Sequence, residues 1–204
     1  YLFVSVTEIR YPDAKELTGF LGAFFGTMMV FTVVIKSTLY GWLMKNYGLR
    51  IALLIAPVLL LMLTGVAAVV GGVLKGYEAT AASFTFFFLV IALSKLFNKS
   101  LKDAIESPSM KILYQSLDSS ERYDVQARID GTVNELTAFL TGLVMAGLIF
   151  LSFIQVIHFA YILIGILVLW VFLGAWLYNA YRKRLNDSLA AARISGSGED
   201  AAAE

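Results

Sequence analysis

The sequence predicts an all-α integral membrane protein, and three observations carry that prediction. Of its 204 residues, 59% are hydrophobic and only 15% charged, whereas a soluble domain has about 45–50% apolar and about 25% charged residues. The segment Ile51–Leu74 holds no charged side chain, and neither does Leu136–Tyr181. A helix needs roughly 20 mostly apolar residues to cross the hydrocarbon core, so the second run suffices for two passes. In lipid every backbone N–H and C=O must be satisfied within its own segment or in a closed barrel, and these runs lack the alternation of barrel strands. Helices are what remains.

The chain opens inside an apolar phrase. Residues 1–9 read as the tail of a spanning helix cut off upstream, and the lack of an initiator Met, n-region or cleavage site predicts further sequence before Tyr1. Pro12-Asp13 breaks this helix. The first full span is expected at about 17–44, and a short basic turn, Lys45–Arg50, separates it from the second at about 51–74. A turn at Lys75–Glu78 leads to the third, at about 80–97. The polar stretch 98–130 holds most interior charges and reads as a cytoplasmic helical loop. Within it Ser107-Pro108 has the form of a helix start, Ser as the cap and Pro at the first helical position. The fourth and fifth spans fall at about 131–151 and 155–181, so that 1–185 forms one transmembrane bundle. Small and acidic residues from 186 to 204 predict a disordered cytoplasmic tail. With the truncated first helix the fragment has six membrane segments.

Basic residues are sorted by side. Lys45 and Arg50, then Lys99, Lys102, Lys111, Arg122 and Arg128, then Arg182, Lys183, Arg184 and Arg193 fall on one side if five full spans alternate. The other side holds Arg10, Lys15 and Lys75. The positive-inside rule places the crowded side, and with it the C-terminus, in the cytoplasm.

Several chemistries are excluded. A net charge of +1 rules out nucleic-acid binding through bulk positive charge. No cysteine and a single histidine leave no thiolate or His-cluster metal site. No catalytic motif or acid–base pair is recognisable, so neither an enzyme nor a cofactor is expected. His158 reads as an interfacial or packing residue.

The candidate site residues are membrane-embedded polar groups. Lys36 lies well inside the first full span, with Thr32 and Tyr40 one turn away on either side. An intramembrane Lys costs about 2.5–3.5 kcal/mol on insertion scales and so faces a polar cavity or a partner; the competing reading is snorkelling toward the nearby cytoplasmic end. Glu135, beside Asn134, sits just inside the fourth span on a face with Gly131, Ala138, Gly142 and Ala146. It is either the polar edge of a packing seam or a site carboxylate paired with Lys36 or Lys95. Lys95, Lys99 and Lys102 share one face of a helix leaving the membrane. Such a ladder attracts phosphates or lipid head groups, or simply obeys the positive-inside rule.

Two segments carry a family resemblance. Gly41-Trp-Leu-Met-Lys-Asn-Tyr-Gly48-Leu-Arg50 is similar to the loop between paired helices of the major facilitator superfamily, without its acidic residue. Lys99-Ser-Leu-Lys-Asp-Ala-Ile-Glu-Ser-Pro-Ser-Met-Lys-Ile-Leu-Tyr114-Gln-Ser-Leu117-Asp118, followed by Gln126-Ala-Arg-Ile-Asp130-Gly131, resembles the cytoplasmic segment of the ATP/ADP translocase-type nucleotide transporters. The resemblance implies the C-terminal six-helix half of a twelve-helix, major facilitator-like carrier in a bacterial inner membrane. It carries Lys99 over by its motif. Ser116, Gln126 and Asn134-Glu135 depart from that pattern, where the family has Pro, Lys and Gly-Lys. A carboxylate in place of a lysine there would repel nucleotide polyphosphate.

Two functions follow as expectations. One is secondary transport of an anionic or phosphorylated metabolite, such as a nucleotide, by alternating access between two six-helix halves. Lys36, Tyr40, Lys95, Lys99, Asn134 and Glu135 would line the substrate path. Its partners would be membrane lipid and a missing N-terminal half or a second chain. The other is a non-transporting, facilitator-derived subunit that scaffolds a larger membrane complex.

Overall fold

The computed structural model describes residues 1–115, 117, 119–150 and 155–201, with 119–120 and 187–201 described by backbone alone. Ser116, Asp118 and the expected end of the fourth span at Leu151 lie outside the described residues. Every regular element among those described is helical. α1 runs Leu2–Arg10 and ends just before Pro12, which lacks a backbone donor. Asp13 then caps α2 (Ala14–Val34), its Oδ1 accepting the N–H groups of Lys15 at 2.9 Å and Glu16 at 3.1 Å. A π turn, Ile35–Leu39, joins α2 to α3 (Tyr40–Leu74).

The basic turn expected at 45–50 narrows to one residue. Helix continues through Tyr47, and Gly48 takes φ 71° and ψ −175°, a region almost only glycine enters. Ile35 and Leu43 before it, and Ala52 and Ala56 after it, all join a buried cluster with Leu101, Ala104 and Ile105. A straight helix rising about 1.5 Å per residue would hold Ile35 and Ala56 about 30 Å apart, so the chain folds back at Gly48. Gly48→Ala is therefore expected to destabilise by about 1–3 kcal/mol through backbone strain alone, since open space surrounds the position. Gly41→Ala, helical and also in open space, is expected to be neutral or slightly stabilising. Detergent melting curves of the two variants check the contrast.

Lys75 ends α3 in the left-handed conformation (φ 50°), and Gly76 N–H returns to the Val70 carbonyl at 3.1 Å. α4 (Phe84–Leu101) continues through a second π turn, Lys102–Glu106, into α5 (Ser107–Tyr114). The helix start expected at Ser107 is thus not one: Ser107 has helical φ/ψ, and no side chain caps α5. Pro108 lacks the N–H that would reach back one turn and its ring crowds the preceding turn; the wider π turn just before it accommodates both. The helix from Phe84 to Tyr114 has 31 residues, about 46 Å at 1.5 Å per residue against a hydrocarbon core of about 30 Å. Its charged end, beyond the apolar run that stops at Phe97, therefore stands outside the spanning part.

α6 (Ser119–Ala127), a third π turn (Arg128–Val133) and α7 (Asn134–Ile149) form one further long rod. α8 starts at Val156, where His158 Nδ1 accepts the Gln155 N–H at 3.0 Å. The histidine expected to serve packing or the interface thus also supports a helix start. Helical backbone continues to Ala201, over residues whose composition predicts a disordered tail.

Among the described residues, four helices are long and apolar enough to cross a membrane: Ala14–Leu74, Phe84–Tyr114, Glu121–Ile149 and Val156–Asn186. The first, folded at Gly48, is long enough for two passes. α8 packs chiefly along α3, and α4 fills the space between α3 and α2. The close approach of α3 to α8 depends on glycines: a Cβ at Gly71 would meet Ile157 and Phe87, and one at Gly72 would meet the Tyr161 hydroxyl. The seam expected on the fourth span does not do this. A Cβ at Gly131 or Gly142 meets nothing, and no described residue from Glu121 to Phe150 is buried.

Candidate functional site

Two helical faces confront one another across an open groove of about 670 Å³. One face carries Lys102 and Glu106 from the second π turn, then Met110, Lys111 and Tyr114 from α5. The other carries Gln126 from α6, Asp130 from the third π turn, then Asn134, Thr137, Ala138 and Thr141 from α7. Both faces repeat at three- to four-residue spacing, which is what puts these side chains in line on a helix. The groove stays open because the α6–α7 rod packs on little of the bundle.

The lining mixes charge, amide, hydroxyl and aromatic groups. Two ammonium groups, Lys102 and Lys111, and one carboxyl group, Glu106, lie on the first face, and a second carboxyl group, Asp130, lies on the opposite one. Asp130 Oδ2 lies 3.5 Å from the Gln126 amide nitrogen. Glu106 differs: its Oε2 is buried and finds no hydrogen-bond partner. Burial pushes the Glu106 carboxyl above the ordinary carboxylate range, and the nearby Lys102 ammonium opposes that shift. This arrangement can hold an anion against the lysines, stack a flat group on Tyr114, and pair with hydrogen-bonding edges through Gln126, Asn134 and the threonines.

Of the residues singled out from sequence, Asn134 lines this groove, and Glu135 beside it is exposed and is not among the lining residues. Lys99 lies outside it, in an exposed ion pair with Asp103 at 2.9 Å. Lys36 and Lys95 are exposed, and no ion pair joins either of them to Glu135 among the described residues. Thr32 turns toward α4, its Oγ1 lying 3.0 Å from Ser100 Oγ, and Tyr40 is half-buried against the cluster around Ile35 and Leu43. The face read as Thr32–Lys36–Tyr40 is therefore split, with only the lysine exposed. Sequence reasoning missed Glu106 and the pairing of Lys102 with Lys111. The four-residue spacing of Lys102, Glu106, Met110 and Tyr114 was the available signal, and it was masked by reading Ser107 as a helix start.

The chain matches the TLC ATP/ADP transporter family over residues 4–181. It belongs to that family. The matched region runs from α1 into α8 and contains the whole groove. Family membership and the long apolar helices make this a multi-pass membrane protein of the nucleotide-transporter type, from a family of transporters rather than enzymes. No curated protein and no solved structure matches the chain.

Proposed function

We propose that this chain forms one wall of a secondary carrier for a phosphorylated anion such as a nucleotide, working by alternating access against a second six-helix half. The observation that carries the proposal is the groove between α4–α5 and α6–α7, which joins two lysines to an aromatic ring and amide edges. Its openness supports a second half: α7 is apolar yet unburied along its length, and lipid or protein must cover it. The basic segments at Lys45–Arg50, 98–130 and Arg182–Arg184 support a cytoplasmic position for the groove end of the bundle.

Lys36, Lys95 and Glu135 keep a role in this reading. A charge exposed on the flank of a membrane bundle is costly unless it meets water or a partner, and a water-filled path between two halves supplies both. The test is uptake of α-³²P-labelled ATP into proteoliposomes by the full-length protein. Lys36→Ala is expected to reduce uptake about tenfold or more, the loss of one charge-assisted contact of about 1.5–3 kcal/mol. Uptake equal to wild type removes Lys36 from the path. Nucleotide binding without uptake in the wild type turns the assignment to a non-transporting membrane subunit.

A further inference from the structure

We propose that Glu106 is a proton-binding site linked to anion occupancy of the groove: it takes up one proton as an anion settles against Lys102 and Lys111, and releases it when the anion leaves. This rests on the anion-binding reading of the same groove given above.

The geometry comes from Glu106's position between two cavities. On one side is the polar groove; on the other is a pocket of about 120 Å³ lined by Leu53, Met110, Trp170, Leu173, Gly174 and Leu177. That second wall, from α3, α5 and α8, offers Glu106 no titratable group. Arg50 on α3 lies 6.0 Å over the Tyr178 ring of α8, and Asp103 on the same π turn is paired with Lys99. The charged and titratable groups lining Glu106's cavities are thus Lys102 on its own turn, Lys111 and Tyr114 on α5, and Asp130 on the opposite rod.

A buried carboxylate oxygen without a donor holds its charge at a cost that protonation relieves. The buried Oε2 has no room for a ligand atom, whereas the residue itself is only half-buried and takes a proton from groove water. No other bond forms or breaks. With all four groups ionised, the two ammonium and two carboxylate charges of the lining cancel. A proton on Glu106 leaves the lining with one net positive charge and favours an anion. A bound anion in turn raises the proton affinity of Glu106, and the two effects are equal by linkage.

The experiment uses full-length protein in lipid nanodiscs, wild type against Glu106→Gln and Glu106→Asp. Infrared titration is expected to show a protonated-carboxyl band in the wild type that persists above the ordinary carboxylate range and vanishes in Glu106→Gln. An identical band in both overturns the proton site. Equilibrium binding of labelled ATP is expected to weaken about tenfold or more in the wild type as pH rises. Glu106→Gln should stay flat near the wild type's acid value, and Glu106→Asp should retain a pH dependence with a shifted midpoint. A Glu106→Gln variant that keeps the wild-type pH dependence overturns the linkage. If no variant binds ATP at any pH, the nucleotide reading falls and the linkage with it, while the infrared band still decides the proton site.

Discussion

Replacing Lys102 and Lys111 together by alanine is expected to lower kcat/KM for nucleotide uptake by on the order of 100-fold or more. Each lysine offers a charge-assisted hydrogen bond to a phosphate oxygen, about 1.5–3 kcal/mol where the acceptor is charged. The two share one substrate, so their contributions couple and the sum is an upper guide. Removing both also leaves the lining net negative, with only Glu106 and Asp130 charged beside the anion. Both lysines are exposed, so their loss leaves the packing of α4 and α5 intact. The double arginine variant keeps the charge and should retain most of the uptake. A double alanine variant that transports as well as wild type would show that the groove is not the substrate path.

Phe87→Ala is expected to be the most damaging single change to stability, on the order of 3 kcal/mol. Phe87 is 0% exposed in the cluster where α4 meets α1, α3 and α8. Its ring packs against Gly71, where a Cβ would come within 3.1 Å of Phe87 Cε2. Lipid tails are as apolar as the side chain, so transfer out of water is not the main loss. The loss is dispersion contact across a helix interface that cannot collapse. The neighbouring Phe86 is 53% exposed, and Phe86→Ala should shift the melting temperature in detergent only slightly. Equal melting of the two variants would mean that the α3–α4–α8 contact does not hold the bundle together.

Reading from residues alone succeeded wherever the physics was local or compositional. Charge-free runs announce membrane helices because an unpaired backbone group in lipid is prohibitively costly, whatever packs alongside. Pro12-Asp13 was legible as a breaker from its own residues, while the capping of α2 by Asp13, which starts the helix at Ala14 and not at about 17, came only with the structure. The reversal near Gly48 was visible as a basic, glycine-bearing turn, though its contraction to one residue was not.

What stayed hidden was set by contacts between distant segments. Lys36 and Tyr40 look like one face on an ideal helix, but the π turn at Ile35–Leu39 and the pull of α4 on Thr32 divide them. Small residues at 131–146 promise a packing seam, while the glycines that admit a neighbouring helix are Gly71 and Gly72. Lys102 and Glu106 share a groove with Asn134 and Asp130 only because the chain reverses between α5 and α6 and lays two successive rods side by side. Hydropathy and charge thus sufficed to establish helices in lipid, because crossing a bilayer depends on each residue's own solvation, while the resemblance to nucleotide carriers rested on the motif residues of 99–118 and 126–131. Which polar groups share a groove, and which carboxyl is left without a partner, depended on helix rotation and packing, where a single extra residue in a turn redirects every side chain that follows.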